Sequence, residues 1–281
     1  MKPTLALFEA DLHCHTTASD GLLTPSELIR SAAELGLKGI GITDHDTIQG
    51  WREAEEAGTN YQLQILRGIE LNTDWHGKEV HILGYEVDAT SDYLNDKLSY
   101  LRQARKQRML EILNRLELMG VHIDVDQIQR LAEGESIGRP HIAQALIDQG
   151  YVSSIREGFD RYIGSGSPAY VGLHKLTPEE GIELIREAGG VAVLAHPGMN
   201  RLEQGIPAWV EVGLQGIEVA HSEHKPEDEM KFRAIAQEFH LLATGGSDFH
   251  GEARKPGVKL GRWGVSIDVI QQILDLVRCK Y

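Results

Sequence analysis

Two stretches of the sequence alternate short β-branched runs with helical segments, and this rhythm constrains the fold more than any other feature. The first stretch passes from FEADLHCH through TPSELIRSAAELG to GLKGIGITDH, and the alternation resumes later in GGVAVLAHP, QGIEVAHSE and LLATGGSDFH. Capping boxes with proline at the first helical position mark helix starts at Thr24 and Thr177. About seven strands separated by helices predict a barrel-like α/β domain.

The strand pattern disappears between about residues 91 and 164. Periodicity there predicts one long helix over 92–118, followed by three shorter helices that glycines separate. We therefore predict three parts: a first barrel part at 1–90, a helical insertion at 91–165 that contributes to substrate binding, and a second barrel part at 166–281.

Charge and cysteine content exclude several classes of function. The chain has 28 basic and 42 acidic residues, a formal net charge of −14, which disfavours binding to duplex DNA or to an anionic membrane across the surface. Cys14 and Cys279 are the only cysteines, so a disulfide framework or a thiolate zinc site is not expected. No apolar run reaches the ~18 residues of a transmembrane helix, and the first residues do not resemble a signal peptide, so we expect a cytoplasmic protein.

Histidines and carboxylates gather at the ends of the predicted strands. In a parallel barrel these ends open onto one face, where residues distant in sequence converge. Because alternate residues of a strand share a face, His13 and His15 can bind one ion while Cys14 points away and packs. We expect His174, His221 and His224 to be structural. The ligand-type residues at strand ends or within strands are His13, His15, Asp44, His45, Glu70, His81, His196, Asp248 and His250.

This combination of imidazole and carboxylate without thiolate suits Zn²⁺, Mn²⁺ or Fe²⁺ rather than Ca²⁺, and the pattern alone does not choose among the three. A site that holds several divalent ions attracts phosphate, and for such a site the expected reaction is hydrolysis of a phosphoester by a hydroxide that bridges two ions. No nucleophilic serine or cysteine is required.

Six motifs in series resemble the PHP (polymerase and histidinol phosphatase) family of metal-dependent phosphoesterases in order and spacing. They are DLHCHTTASDG, GITDHDT, GIELN, HILGY, LAHPG and GGSDFH. Within that family the chain is similar to stand-alone bacterial nucleoside 3′,5′-bisphosphate phosphatases and 5′-to-3′ exoribonucleases, which carry a helical insertion with a GRPHIA motif, found here at 138–143. The resemblance implies a distorted (β/α)7 barrel of PHP type with an inserted all-helical subdomain.

The resemblance also implies a site for three divalent ions, with Mn²⁺ as the first expectation and Zn²⁺ or Fe²⁺ as alternatives. The first ion would be held by His13, His15, Glu70 and Asp248. Glu70 would bridge to a second ion, held by His81 and His196. The third ion would be held by Asp20, His45 and His250. Asp20 stands where some relatives have histidine, which leaves the occupancy of the third site open. Glu70 and Asp248 would be catalytic as metal-bridging and metal-binding carboxylates, and Asp44 would orient a ligand or the nucleophilic water.

Basic residues of the predicted insertion suggest a second phosphate site. Residues 97–115 contain six basic side chains against Glu111 alone, and Arg105 and Arg108 fall on the same stripe as apolar residues. Their stems either cover the core edge or their guanidinium groups reach a phosphate. Arg139 and His141 are stronger candidates, because Pro140 marks a helix start whose amides favour an anion. The predicted substrate is a nucleoside 3′,5′-bisphosphate or the 5′ end of a short single-stranded RNA.

Three alternative functions remain compatible with the sequence. A histidinol-phosphate phosphatase of the same family would carry a cationic substrate, which the arginine-rich helix disfavours. A binuclear amidohydrolase would use fewer histidine ligands than this sequence offers. A non-catalytic, metal-stabilised domain would tolerate missing ligands, yet every ligand position is filled here. The sequence leaves the native metal and the oligomeric state open.

Overall fold

Seven strands joined largely by helices form the body of the protein. The computed structural model describes residues 6–132, 136–172 and 175–279. The strands are β1 (Ala10–Cys14), β2 (Gly39–Ile42), β3 (Gln64–Trp75), β4 (Lys78–Tyr85), β5 (Val191–Leu194), β6 (Gly216–His221) and β7 (Leu242–Gly246). The helices are α1 (Pro25–Glu34), α2 (Trp51–Tyr61), α3 (Asp92–Leu118), α4 (Val125–Leu131), α5 (Arg139–Asp148), α6 (Ile155–Gly158), a π-helical turn at Phe159–Ile163, α7 (Pro178–Glu187), α8 (Ile206–Glu211), α9 (Pro226–Glu238) and α10 (Asp268–Arg278).

The strands lie side by side in sequence order. β1, β2 and β3 are mutually parallel, as are β5, β6 and β7, but β4 is antiparallel to both of its neighbours. The expectation of a wholly parallel barrel is therefore wrong for β4. The reason is the length of the connection: only His76 and Gly77 separate β3 from β4, whereas a parallel crossover needs a dozen or more residues.

The chain after β7 returns to β1 and nearly closes the barrel. Asp248 N donates to His13 O at 2.8 Å, and His15 N donates to Phe249 O at 2.9 Å. Gly246 permits this approach, because a Cβ atom at that position would lie 2.4 Å from the His13 Cβ. The two ends of the sheet are thereby brought to the same place.

Apolar residues fill both sides of the sheet. One buried cluster joins the outer faces of the strands to α1, α2, α7, α8 and α9. Another cluster joins residues of β1, β3, β4 and β5 to Ile270 and Ile273 of α10. Tyr85 donates to the backbone oxygen of Leu12 at 2.9 Å. Because β4 and β1 are three strands apart in the sheet, this bond crosses the interior of the barrel.

Residues 92–163, here called the helical segment, contain helices and no strand in the ranges that the structure describes. The sequence prediction for its first helix is confirmed, since α3 runs from Asp92 to Leu118. The segment has its own buried apolar cluster, which includes Met109, Ile128, Ile142 and Leu146. Among the described helices, none is both long enough and apolar enough to cross a bilayer.

Candidate metal centre

The first group of candidate ligands comes from β1, β3 and the loop after β7. Each of His13, His15, Glu70 and Asp248 offers a ligand atom, and these atoms lie within 4.8 Å of one another. Glu70 Oε2 lies 3.3 Å from His13 Nε2 and 3.1 Å from His15 Nε2. Asp248 Oδ1 lies 3.2 Å from His15 Nε2. These are the four residues that the sequence resemblance assigns to the first ion.

The second group surrounds the other oxygen of Glu70. Its Oε1 lies 2.7 Å from His81 Nδ1 and 3.1 Å from His196 Nε2. His81 reaches Glu70 although β4 is reversed, because the antiparallel register sets His81 opposite Asn72, and alternate residues of β3 share a face. The two oxygens of one carboxylate therefore face two different groups of imidazoles.

The third group contains His15, Asp20, His45 and His250, whose ligand atoms also lie within 4.8 Å of one another. Asp20 Oδ1 lies 3.3 Å from His250 Nε2, and the rings of His15 and His250 stack with centroids 3.9 Å apart. The structure differs from the predicted grouping in two respects. His15 belongs to both the first and third groups, and His45 also lies with Glu70 and His81. The three groups form one continuous surface.

Buried ligand atoms without hydrogen-bond partners indicate whether the arrangement fits metal ions. Nε2 of His13, Nε2 of His15 and Oε2 of Glu70 are buried and have no hydrogen-bond partner within the described residues. Leaving buried polar atoms without partners is costly in free energy. These atoms point at one another, and deprotonated imidazole with carboxylate is a ligand set that Zn²⁺, Mn²⁺ or Fe²⁺ accepts. The residues present fit divalent ions.

Two candidate ligands have strained backbone conformations. His196 and Asp248 have φ angles of 30° and 56°, in the left-handed region that residues other than glycine rarely adopt. Such strain persists only where the surrounding structure holds it, and it clusters at functional sites. Both residues are candidate ligands.

Three histidines of the site, His13, His15 and His81, have raised pKa values in the metal-free fold. Burial disfavours the charged form of His15, but Asp248 and Glu70 outweigh it and raise the pKa of His15 to about 10. Burial likewise opposes protonation of His81, and Glu70 and Glu79 raise its pKa to about 9. Metal binding to these imidazoles must therefore displace protons.

Two other histidines are neutral. Burial lowers the pKa of His45 to about 3 and that of His196 to about 4, and the nearby carboxylates do not offset this effect. The pKa of Glu70 lies well below its usual value, because His45 and His81 outweigh the cost of its burial. The site thus presents an ionised carboxylate beside imidazoles with free lone pairs.

Residues 11–187 match the PHP domain family. The chain belongs to the PHP family. The match begins at the strand that carries the first two histidines and extends through the helical segment into α7.

Curated relatives and solved structures agree with this assignment. The chain is 36% identical to the 5′-3′ exoribonuclease Rnm of Escherichia coli, over 90% of this chain and 88% of that protein. It is 37% identical to a 3′,5′-nucleoside bisphosphate phosphatase of Chromobacterium violaceum, over 85% of this chain and 86% of that protein. The relatives' names favour hydrolysis of RNA or nucleotide phosphoesters over the alternatives left open by the sequence.

Two solved structures share the fold. A candidate metal-dependent phosphoesterase from Bifidobacterium adolescentis superposes with a TM-score of 0.90 at 34% identity and covers 98% of both chains. A protein from C. violaceum described as an amidohydrolase, with bound sulfate and no metal, superposes with a TM-score of 0.86 at 34% identity and covers 96% of both chains. The predicted distorted barrel of PHP type is confirmed.

Glu218 is a residue of the PHP site that the sequence reasoning missed. Its Oε1 accepts from His13 Nδ1 at 3.1 Å, and its Oε2 accepts from the His196 amide at 2.8 Å. A proton held at His13 Nδ1 leaves Nε2 free as a ligand. Burial would raise the pKa of Glu218, but His13 and His221 lower it to about 2. A charged residue inside the apolar run GIEVA was the signal that could have revealed it.

Asp44 does not join any of the three ligand groups in the described residues. Its carboxylate accepts hydrogen bonds from Thr16 N at 2.8 Å, Thr16 Oγ1 at 2.7 Å and Ser19 Oγ at 2.6 Å. Asp44 therefore fixes the loop that presents Asp20.

Asp248 is held from its other side by a lysine. Lys255 Nζ donates to Asp248 Oδ2 at 2.7 Å, while Oδ1 faces the histidines of β1.

His221, expected to be structural, is fully buried with its Nε2 3.7 Å from the same Oδ2, and its ligand atom also lies close to those of His13 and Glu218. His224 accepts from the Gly198 amide through Nε2, and His174 lies outside the described residues.

Three predicted substrate-binding arginines line one small cavity beside the PHP site: Arg105, Arg108 and Arg139. Arg105 is buried and its Nε donates to Asp46 Oδ2 at 2.6 Å. Arg108 Nε donates to Val171 O at 2.8 Å. The Arg139 guanidinium lies 5.2 Å from the centre of the Phe159 ring. Each arginine thus has a protein partner, yet all three converge.

His141 lies in the first turn of α5, as predicted, but its side chain accepts a hydrogen bond from the start of its own helix. Its Nδ1 accepts from the Gly138 amide at 3.0 Å, so one amide expected to bind an anion is already engaged. Burial lowers the pKa of His141 to about 4, which keeps the imidazole neutral. Arg139 rather than His141 supplies positive charge at this helix start.

A further carboxylate connects the cavity to the metal groups. Glu79 Oε1 lies 3.0 Å from His81 Nε2, while its Oε2 lies 3.0 Å from Lys175 Nζ and 3.6 Å from Arg139. These three cations outweigh burial and hold the pKa of Glu79 far below its usual value. Glu79 therefore joins a candidate ligand of the barrel to a cation of the helical segment.

Proposed function

We propose that this protein is a metal-dependent phosphoesterase that removes the 3′-phosphate of nucleoside 3′,5′-bisphosphates and trims short RNA from a 5′-phosphorylated end. The observation that carries the proposal is the contact between two anion-attracting features. Three groups of metal ligands meet at Glu70, and a cavity lined by three arginines adjoins them. A substrate with two phosphates would use both.

Divalent ions bound at these groups would supply Lewis-acid activation of water and neutralise charge on the phosphoryl oxygens. Within the chain, Glu70 orients five imidazoles through its two oxygens. Glu218 holds the proton of His13 at Nδ1, and Lys255 fixes the rotamer of Asp248. We propose three ion sites, with the ligands that the family resemblance implies, and Mn²⁺ as the native ion.

The second phosphate would bind at the arginine cavity, whose volume of about 10 Å³ would have to increase when a phosphate enters. Guanidinium groups form forked, charge-assisted hydrogen bonds with phosphate, and the mutual repulsion of buried arginines is relieved when an anion enters. Burial together with Arg139 and Arg105 lowers the pKa of Arg108 to about 10, which records that repulsion. The C. violaceum structure contains bound sulfate and no metal, so this relative binds an oxyanion in the absence of metal.

The names of the relatives supply the substrate class. One relative is named an exoribonuclease and another a nucleoside bisphosphate phosphatase. A basic cavity beside a buried site suits a small nucleotide or a single-stranded end rather than a duplex. We retain a cytoplasmic location as part of the proposal.

A substrate panel with the Mn²⁺-supplemented protein tests this function. We expect the highest kcat/KM on adenosine 3′,5′-bisphosphate or on short 5′-phosphorylated RNA, and much lower values on histidinol phosphate and p-nitrophenyl phosphate. Preference for histidinol phosphate would contradict the substrate assignment. Bound metal without turnover of any phosphoester would contradict the enzyme itself and favour a metal-stabilised scaffold.

A further inference from the structure

We propose that Arg254 contacts a phosphate of the substrate at the metal face, at the edge of the group formed by His15, Asp20, His45 and His250. The inference rests on the proposed function, because it names a residue that this function would need. Arg254 lies outside the three-arginine cavity and follows the last ligand, His250, by four residues.

The guanidinium of Arg254 is unsatisfied. Its Nε and one terminal nitrogen are buried and have no hydrogen-bond partner within the described residues. Arg254 is half-buried as a residue, and its two buried nitrogens without partners cost free energy, so burial lowers the pKa of Arg254. An arginine held in this condition is prepared for an anion that the protein itself does not provide.

The arginines of the cavity differ from Arg254 in this respect. Arg105 is bound by Asp46, and Arg108 donates to a backbone oxygen. Arg139 lies over aromatic rings and 3.6 Å from Glu79. A phosphate entering their cavity shares donors that already have partners, whereas a phosphate at Arg254 meets donors that have none.

The loop that carries Arg254 is fastened to the loop that carries Asp20. Leu22 N donates to His250 O at 2.9 Å, and Gly251, with φ of 98°, packs closely against Leu22. A turn follows in which the Arg254 amide donates to Gly251 O at 3.0 Å. The backbone of Arg254 is thus held close to the third ligand group.

Charges place the side chain on the same side. The carboxylate of Asp20 favours the Arg254 cation against burial, and the Arg254 cation in turn contributes to the lowered pKa of His141. Asp20 belongs to the barrel and His141 to the helical segment. Arg254 therefore lies between the two regions that a bound substrate would join.

The neighbouring residue gives the loop its second attachment. Lys255 Nζ is bound to Asp248 Oδ2 at 2.7 Å, with Glu223 Oε1 3.6 Å away. Lys255 is thereby committed to a metal ligand, and Arg254 is the cation of this turn that remains available. Two consecutive basic residues have different tasks: Lys255 orients a carboxylate and Arg254 binds the phosphate.

Phosphate binding to the EDTA-treated full-length protein tests the inference without metal or turnover. Isothermal titration with inorganic phosphate should give a Kd about tenfold higher for Arg254→Gln than for wild type, the usual effect of losing a charge-assisted hydrogen bond. The matched control is Arg262→Gln, an exposed arginine that follows eight residues later, which should leave the Kd unchanged. Unchanged affinity in Arg254→Gln together with lost affinity in Arg139→Ala would overturn the inference in favour of the cavity alone.

Stability distinguishes a binding role from a structural one. Because Arg254→Gln removes an unpaired buried charge, its Tm should equal or exceed that of wild type. A lower Tm would show that the guanidinium supports the fold and would contradict the inference.

Kinetics with the Mn²⁺-loaded enzyme separate this inference from the proposed function. Arg254→Gln should lower kcat/KM about tenfold on both adenosine 3′,5′-bisphosphate and a simple monoester, because the contact is with the phosphate at the metal face. Equal kcat/KM for variant and wild type would overturn the role of Arg254 and leave the phosphoesterase standing. Inactive wild-type protein would defeat the proposed function, and the phosphate titration would still decide the assignment of Arg254.

Discussion

The barrel face and the helical segment both gather charge, but they hold it in opposite ways. At the barrel face, buried ligand atoms such as Nε2 of His13 and His15 point at one another without hydrogen-bond partners in the described residues. In the helical segment, Arg105 and Arg108 are already bonded to Asp46 and to a backbone oxygen. One region is incomplete without a ligand, and the other is complete without one.

This difference shows which physical forces position each set. Strand register and the i, i+2 rule place His13, Glu70 and His81, and most of the other ligands of the barrel lie in the loops that follow strand ends. The arginines are long side chains whose ends are positioned by local partners on loops and neighbouring elements. Changes at the barrel should therefore affect chemistry and metal content, and changes at the helical segment should affect substrate preference and the joining of the two regions.

The largest expected effect concerns the shared carboxylate of the barrel. Glu70→Gln removes the charge that faces five imidazoles, and we expect kcat to fall by about 10³-fold or more together with a loss of bound metal. Metal analysis and rates on adenosine 3′,5′-bisphosphate measure both. Glu183→Gln on the exposed side of α7 is the matched control. A Glu70→Gln variant that keeps the full metal content and rate would contradict the role of Glu70 as a shared metal ligand and the contrast between the two regions.

The next effect concerns the buried ion pair of Asp46 and Arg105, which joins the barrel to the helical segment. Asp46→Asn keeps a residue that tolerates the left-handed φ of 53° but leaves Arg105 without its counter-ion. We expect the free energy of unfolding to fall by about 3 kcal/mol, as for other broken buried pairs. Urea denaturation measures it. If the double variant Asp46→Asn with Arg105→Met is no more stable than Asp46→Asn, the unpaired charge is not the cause.

The pH dependence of the metal-free protein sharpens the description of the barrel face. His15 and His81 have pKa values of about 10 and about 9 in the fold, above the ~6.5 of an unfolded histidine. Their ion pairs therefore stabilise the fold fully below pH ~6.5, and this stability is lost as pH rises towards 9 to 10. The Tm of EDTA-treated protein should fall across that range.

Metal affinity should change in the opposite direction. Because Mn²⁺ must displace protons from His15 and His81, its affinity should rise across the same range, by up to about tenfold per pH unit for each proton released. Calorimetry in buffers of different ionisation enthalpy counts the protons. An affinity independent of pH would show that these histidines bind no metal.

A smaller effect tests the helical segment. Arg139→Ala should raise KM for adenosine 3′,5′-bisphosphate about tenfold and leave hydrolysis of a simple monoester within twofold, since only the former has a second phosphate. Arg156→Ala is the control, because this arginine of the same segment is 92% exposed. Wild-type kinetics in Arg139→Ala would remove the segment from substrate recognition.

The smallest effect is expected at Cys14, which lies between two candidate ligands. Burial raises the pKa of its thiol well above the usual value, so it is neither a thiolate ligand nor a nucleophile. Cys14→Ala should keep kcat within twofold of wild type and lower the free energy of unfolding by about 1 kcal/mol. Loss of activity without loss of stability would assign Cys14 to the chemistry.

Much of the barrel site was predictable because its signals are local. The HxH spacing in β1 and the motif order imply residues that the structure brings together, and the bounds of α3 follow from its periodicity. The reversal of β4 was missed, because its strand signal is the same in either direction and only the two-residue connection decides it. The roles assigned to each ligand, and the boundaries of the three parts, stay predictions.

Contacts made by tertiary packing were not readable from the sequence. Glu218 holds His13 across 205 positions, and Lys255 reaches Asp248 only because the chain turns at Gly251. Periodicity placed Arg105 on an apolar face, but the buried Asp46 that receives it lies 59 residues away. Partners of long side chains depend on the folded surroundings rather than on spacing.

The meeting of β1 with the chain that follows β7 also bears on how the protein is made. Nearly the whole chain must emerge from the ribosome before residues 247–249 can cover the outer edge of β1, roughly 10 to 50 s after that strand appears at ~5–20 residues per second. Through that interval β1 presents an unpaired edge that could join another nascent chain. Asp248 and His250 arrive in the same last portion, so a nascent chain acquires its complete ligand set only when that edge is covered.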